Sequence, residues 1–354
     1  MISFAIIGWG HIARKHKEAI DVVEGARLVA VSDLNPERLK ELAPFPEIKK
    51  FTDLNVMLAE APEVDVVCIC TPSGLHAAHA IAAIRAGKHV IIEKPVALSL
   101  HDAEAIREAA SLYGAKVAVV HPNRFRPAIR KLKLALDQGL FGKLSHVNAT
   151  VRWNRAQAYY DQASWRGTKE MDGGVLLNQA VHSLDLLEWL VGPVTGVKSM
   201  VDTRIRKMEA EDTALAVLRF DTGVLGVVEA TTAIYDKNLE ETISIFGEHG
   251  YAVIGGPTAN WFKQLRSSYL SESECEAWIQ EIESDPYGEP GHRSIIRDMV
   301  AAVCDNREPI VPLHEGIRAM KLALDISSNG TSPALIANGG DFYAVKDAAT
   351  IRGV

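Results

Sequence analysis

The feature that most constrains this chain is a rhythm. Through its first third, short apolar runs alternate with amphipathic segments. FAIIG (4–8), ARLVAVSD (26–33), VDVVCICTP (64–72), KHVIIEKP (88–95) and KVAVVH (116–121) read as strands. HIARKHKEAI (11–20), PERLKELA (36–43), HAAHAIAAIRAG (76–87) and SLHDAEAIREAASLYG (99–114) read as helices. Strands that are apolar on both faces must be covered on both sides. Alternation with helices then predicts an α/β fold built on a doubly wound parallel sheet. Ser99 stands where a helix is capped and Gly114 where one ends.

After about residue 122 the rhythm changes. A basic helix (126–139) precedes HVNATVRWN (146–154), which alternates like a half-exposed strand. A helix over 173–190 is followed by β-rich runs. Asp221-Thr222-Gly223 and Glu248-His249-Gly250 read as hairpin turns between them. The expectation is two domains: residues 1–122 as a Rossmann domain, and 123–354 as an α/β domain with a large, mostly antiparallel, open-faced sheet. Residues 263–290 read as polar and irregular, with helical patterns returning at 292–305 and 314–328. The open sheet face predicts a homodimer or homotetramer.

Composition narrows the partners. The chain has 354 residues, 47% hydrophobic and 23% charged, with a net charge of −7. No basic field is present, so a nucleic-acid partner is not expected. No apolar run reaches the roughly 18 residues of a membrane helix. The N-terminus lacks the basic start of a signal peptide, and the four cysteines show no framework of pairs, so a cytoplasmic location is expected. No zinc-type spacing occurs, and no metal is expected.

The first chemical signal is Gly8-Trp9-Gly10-His11-Ile12-Ala13, which matches G-x-G-x-x-G/A between a strand and a helix. The first glycine permits a tight turn and the second lets backbone approach a pyrophosphate. The helix N-terminus then supplies donors to the phosphates. Asp33 ends the second strand, where a carboxylate accepts hydrogen bonds from ribose hydroxyls and repels a 2′-phosphate, so NAD is favoured over NADP. Thr71, Pro72 and His76 lie just past the third strand of this domain and are expected along the dinucleotide. Asn123 and Arg124 open the second domain and face the same crevice, Asn123 toward cofactor and Arg124 toward substrate.

The second signal is Glu93-Lys94-Pro95 at the end of a strand, which sets Lys94 at the sheet edge where ligands of such folds bind. The third is GGVLLNQAVHSLDLLEWL (173–190). Asn178, His182, Asp185 and Trp189 share one stripe of this otherwise apolar helix. Such a stripe is either a satisfied core network or the wall of a cleft. Asp185 either fixes the His182 tautomer or satisfies buried backbone.

Together GWGHIA (8–13), VSDLNPER (31–38), CTPSGLHAAHA (70–80), EKPVALS (93–99) and GGVLLNQAVHSLDLLEWLVGPV (173–194) make the chain resemble the Gfo/Idh/MocA oxidoreductases over essentially its whole length. The resemblance implies an NAD-dependent dehydrogenase with Lys94 and His182 as catalytic pair, and Glu93 near the nicotinamide ribose. The family often has Asp where this chain has Asn178, which can orient substrate or His182 but cannot carry a proton. A branch that does use Asn acts at C3 of UDP-N-acetylglucosamine-type sugars and their uronates, and AYYDQASWRGTKEMDGG (158–174) also looks like that branch. On this reading Arg155, Tyr159, Tyr160, Trp165 and Arg166 recognise sugar and phosphate, since aromatic faces stack on sugars and guanidinium forks hold anions. His292 either reaches the substrate or caps a helix. Other readings are an inositol or simple-sugar dehydrogenase, β-elimination through a transient 3-keto sugar, and a non-catalytic NAD-binding regulator.

Overall fold

The computed structural model describes residues 1–330; the last part of the span assigned to the second domain lies outside them. The first sheet is parallel and six-stranded: β1 (Ile2–Ile7), β2 (Ala26–Ser32), β3 (Lys49–Phe51), β4 (Val66–Ile69), β5 (His89–Ile92) and β6 (Val117–Val119), in the order β3-β2-β1-β4-β5-β6. Helices α1 (His11–Val22), α2 (Pro36–Leu39), α3 (Leu54–Glu60), α4 (His76–Arg85) and α5 (Leu100–Tyr113) connect the strands. All four residues of β4 are buried, as a strand covered on both faces requires. The order reverses between β1 and β4, and the crevice above that point is where such folds bind ligands. At α5, the Ser99 hydroxyl accepts the Asp102 N–H, and Gly114 closes the helix with a positive φ.

The second half opens with α6 (Pro127–Asp137), β7 (Leu144–Arg152) and α7 (Gln157–Asp161), followed by a π-helical turn (Leu176–Ala180) that runs into α8 (Val181–Val191). Then come β8 (Val194–Asp202), β9 (Thr213–Phe220), β10 (Leu225–Thr231), β11 (Glu240–Gly247), β12 (Gly250–Gly255) and β13 (Trp261–Ser267). Their order is β13-β12-β11-β7-β10-β9-β8, antiparallel throughout except for the parallel β7–β10 pair. Both expected hairpin turns are present, after β9 and after β11.

The expectation of an irregular 263–290 was wrong. That stretch holds most of β13 and all of α9 (Glu272–Ser284). Helix α9 starts in a capping box: the Ser271 hydroxyl accepts the Glu274 N–H, and the Glu274 carboxylate accepts the Ser271 N–H. The short β3–α3 unit was also unread, although Asp53 caps α3 by accepting the N–H groups of Asn55 and Val56.

The last helices return to the first sheet. From α10 (Gly291–Cys304), Ile295, Ile296 and Met299 enter the same core as α1 and β1. Helix α11 (Leu313–Gly330) runs between β6 and β8, touching α8 on the way. A buried ion cluster pins this meeting of elements. Arg124, in the turn after β6, donates from Nε and Nη2 to Asp185 on α8 at 2.8 and 2.5 Å, and from Nη1 to Glu315 on α11. Its guanidinium also lies over Trp189.

Removing one partner of a buried pair strands the other charge, a loss of about 3–5 kcal/mol. Arg124→Ala should therefore lower stability by about that amount in denaturant unfolding. A change within about 0.5 kcal/mol, the size of a surface substitution, would show that the cluster is not the pin described.

Candidate active site

The glycine turn is built as its residue types require. Gly8 takes a φ of +87°, and a Cβ there would sit 2.8 Å from the Cys70 carbonyl. Gly10 is the N-cap of α1 with no side-chain cap, and a Cβ on it would meet nothing within 4 Å. The first-turn N–H groups, including those of His11 and Ile12, thus open onto free space, a setting that fits the pyrophosphate of a dinucleotide. Asp33 is buried at the end of β2. Its Oδ2 accepts the Trp9 N–H at 2.7 Å and its Oδ1 the Asn35 N–H at 2.8 Å. Arg38 Nη1 also donates to Oδ2 at 3.4 Å. A carboxylate has about four lone-pair sites, so capacity for about one ribose hydroxyl is left. The Trp9 indole points away, into the core and toward Glu41.

One expected cofactor contact, His76, and one expected substrate contact, Arg124, need correction. Both ring nitrogens of His76 face backbone carbonyls, of Pro95 at 2.7 Å and Thr71 at 2.9 Å, and the neutral ring donates to one of them. The ring braces the turn of Thr71 and Pro72 against the cis Lys94–Pro95 peptide and has no nitrogen free for the dinucleotide. Arg124 is committed to Asp185 and Glu315, so its guanidinium does not reach into the cleft. Its buried neighbour Asn123 lines a cavity of ≈ 450 Å³ together with Lys15, Glu18, Arg126, His292 and Arg293.

Lys94 leaves the top of β5 and crosses to the second domain. Its Nζ donates to the Asn178 carbonyl at 2.7 Å and to the Asn178 Oδ1 at 3.3 Å. Asn178 sits in the π-helical turn, a distortion that frequently occurs at functional sites. The start of this turn is fixed by Glu211, which accepts the Leu176 N–H at 3.0 Å, and a side chain on Gly174 would overlap the Glu211 carboxylate. His182 follows in α8. Its Nδ1 is enclosed without a hydrogen-bond partner, which leaves Nε2 as the nitrogen open to a substrate. Asp185 and Trp189 belong to the Arg124 cluster, so the stripe divides: Asn178 and His182 face the crevice, and Asp185 serves the buried ion pair rather than the His182 tautomer.

The electrostatics follow from this crowding. Burial, then the charges of Lys94, His121 and Arg126, hold the pKa of His182 well below the ordinary imidazole value. Burial lowers Lys94 as well; Arg155 and Arg166 push the same way, while Glu93 and Asp172 oppose them. Glu93 is buried, which disfavours its charge, but hydrogen bonds from His16 (2.8 Å) and His292 (3.3 Å) hold its carboxyl well below the usual range. Burial keeps His16 neutral. These three side chains offer ligand atoms within 4.8 Å of one another, the composition of a two-histidine, one-carboxylate metal site. Both contacts are of hydrogen-bond length. His292 therefore supports Glu93 from α10 and does not cap the helix, whose N-cap is Pro290 with no side-chain cap.

The 155–166 segment gathers beside Lys94. The Arg166 guanidinium donates to the Tyr159 hydroxyl at 2.6 Å and lies over the Tyr159 and Trp165 rings. Arg155 lies over Trp153 and Tyr159. Tyr160 is buried behind them, its hydroxyl on Thr232 at 3.0 Å, and faces away from the crevice. Sequence reasoning missed His16, His121, Arg126 and Asp172. His16 did carry a signal, as a polar residue on the buried Ala13–Ile20 stripe of α1. The others sit in turns or at a strand end, where no periodicity marks them.

Comparison with known proteins agrees with this geometry. Residues 2–121 match the family described as "Oxidoreductase family, NAD-binding Rossmann fold", and residues 129–253 match the "GFO/IDH/MocA C-terminal domain". The chain belongs to the Gfo/Idh/MocA oxidoreductase family. Its first domain is therefore an NAD-binding Rossmann domain. Among solved structures, it is similar to the WlbA dehydrogenase from Bordetella pertussis in complex with NADH and UDP-GlcNAcA, at 35% identity and a TM-score of 0.87, covering 93% of this chain and 95% of that one. The WlbA dehydrogenase from Chromobacterium violaceum, also with NADH and UDP-GlcNAcA, is 34% identical with a TM-score of 0.87 and 93% of each chain covered. A myo-inositol 2-dehydrogenase from Thermotoga maritima is 30% identical over 69% of this chain and 72% of its own length. Among the described residues, no helix is long and apolar enough to cross a membrane.

A base must be neutral to accept a proton, so sugar oxidation should fall as pH drops through the His182 pKa. The acid limb of kcat/KM is expected below the ordinary value of about 6.5; a midpoint at or above it would contradict the environment described. His182→Asn should keep NADH binding, followed by fluorescence, while kcat falls by about 10²–10⁴-fold. Unchanged turnover would remove His182 from the chemistry.

Proposed function

We propose that this chain oxidises a secondary hydroxyl of a sugar, most specifically C3 of a UDP-N-acetylhexosamine or its uronate. The observation that carries this reading is the cationic cluster at Lys94. Arg155 and Arg166, stacked on Tyr159, lie close enough to disfavour the charge on Lys94. Glu93 and Asp172 offset part of this repulsion, and like charges held together are otherwise costly. A neutral polyol would not offset that cost, whereas an anionic substrate would. The cavity lined by Asn123 and His292 adds the cations Lys15, Arg126 and Arg293 against the carboxylates of Glu18 and Glu289, a further place for anionic groups of a substrate. The WlbA structures, crystallised with UDP-GlcNAcA, support the same class.

The residues divide the work as follows. NAD, when bound, supplies the hydride acceptor. Neutral His182 accepts the hydroxyl proton at Nε2. An ammonium carries three donors; two of those on Lys94 go to Asn178, and the third holds the substrate oxygen as negative charge develops on it. Asn178 sets the direction of that third donor. Glu93, braced by His16 and His292, would accept from the nicotinamide ribose. The aromatic and guanidinium faces of Tyr159, Trp165, Arg155 and Arg166 hold the sugar and its anionic groups.

The deciding experiment measures NADH formation with UDP-N-acetylglucosamine, its uronate, myo-inositol and simple aldoses, with 2-oxoglutarate added in parallel to reoxidise retained cofactor. Turnover confined to the UDP-sugars is expected. Turnover with free inositol or aldoses alone would overturn the substrate while keeping the catalytic pair.

A second copy of the chain is proposed to cover the open face of the second sheet, where Met200, Leu215, Val217, Leu225 and Val227 are exposed side by side. Sedimentation should show a dimer or tetramer that Leu215→Glu with Val217→Glu shifts toward monomer. A monomer at micromolar concentration in the unaltered protein would refute this.

A further inference from the structure

In this cleft, Asn178 stands where a carboxylate would have paired directly with Lys94. The structure places that carboxylate one residue further away. Asp172, 2% exposed, lies in the loop before the π-helical turn. Its Oδ1 accepts the Asn178 Nδ2–H at 2.6 Å, and its Oδ2 accepts the Gly167 N–H at 2.7 Å. With the amide nitrogen committed to Asp172, the amide oxygen must face Lys94, where it accepts at 3.3 Å. An amide turned the other way would point its donors at both the Lys94 ammonium and empty space, and would leave the buried Asp172 oxygen unpaired.

We propose that Asp172 is a positioning residue of this enzyme: by fixing the Asn178 amide it fixes the two-point hold on Lys94, and so aims the one remaining ammonium donor at the substrate oxygen. The proposal deepens the reading of Lys94 and His182 as the catalytic pair and rests on it. It also accounts for how the site works with Asn178. The negative charge is kept, but it is separated from Lys94 by a neutral amide that cannot take the proton His182 is meant to receive. Lys94 is then faced by the carboxylates of Glu93 and Asp172, the guanidiniums of Arg155 and Arg166, and the imidazoles of His76, His121 and His182.

The test uses Asp172→Asn and the swap Asp172→Asn/Asn178→Asp in the full chain, with two readouts. The first is kcat and KM on whichever sugar turns over. Misaiming the donor should lower kcat by about 10–100-fold with a smaller change in KM, and the swap should recover a substantial part of it. The second needs no substrate: NMR of the chain carrying lysine labelled with carbon-13 at Cε, with Lys94 assigned from Lys94→Arg. Loss of the Asp172 charge should move the Lys94 titration to lower pH, and the swap should move it back up, because the carboxylate then lies next to the ammonium. Both shifts support the role even if every sugar in the panel is silent, so failure of the substrate reading stays separate. In a folded Asp172→Asn, an unchanged Lys94 titration, or an unchanged kcat where a sugar turns over, would overturn it. If Asp172→Asn fails to fold, the swap decides: a folded swap with wild-type Lys94 titration and kcat supports the relay, and a folded swap with neither restored overturns it.

Discussion

The catalytic end of this molecule depends on one buried ion cluster. Arg124 extends from the turn after β6, on the NAD-binding side, and its guanidinium fork meets Asp185 on α8 and Glu315 on α11. A fork with two parallel donors to one carboxylate fixes angle as well as distance. Helix α8 is thereby registered against the first sheet. That registration lets Lys94, from β5, reach the Asn178 backbone at 2.7 Å across the junction of the two halves. Had α8 been held only by apolar contact, a slide of one ångström would misplace both His182 and the Lys94 donor, and reactions that depend on orientation are sensitive to shifts of that size.

Around this anchor the site sets opposed protonation states side by side. Glu93 stays anionic because two imidazoles donate to one of its oxygens. Burial, reinforced by the cations Lys94 and Arg126, holds the His182 pKa well below the ordinary imidazole value, with Glu93 opposing. Lys94 lies between them, opposed by burial and by Arg155 and Arg166, and supported by Glu93 and Asp172. Pairs of titratable groups pushed apart in this way mark an acid–base site, and they mark it independently of any family likeness.

Much of this was legible in the sequence because it is local. Apolar runs buried on both faces and spaced by helices leave few alternatives to a parallel sheet. Gly8 marks a turn that a side chain would obstruct, Gly10 leaves the space before the helix open, and Asp33 follows at the end of the next strand. Lys94 and the Asn178–His182 pair stood out as polar residues at the edge of apolar elements. What was misread lay where local pattern says least. Arg124 looked like a cleft cation until Asp185 and Glu315, 61 and 191 residues away, claimed it. His76 looked free until two carbonyls from separate turns closed on it. Helix α9 was passed over although its capping box was present, because its polar face outweighed the short apolar stripe.

The sequence by itself determined the alternation of strands and helices in the first domain, the dinucleotide turn and the residue types proposed as the catalytic pair, since hydrophobic period, glycine freedom and helix spacing are properties of neighbours along the chain. Only the tertiary structure decided which charges meet. The commitment of Asp185 to Arg124, the brace of His16 and His292 on Glu93, and the line from Asp172 through Asn178 to Lys94 each join residues from different elements. A buried charge takes its state from whichever partner the fold brings within hydrogen-bond reach, and that partner is set by packing rather than by spacing in the sequence.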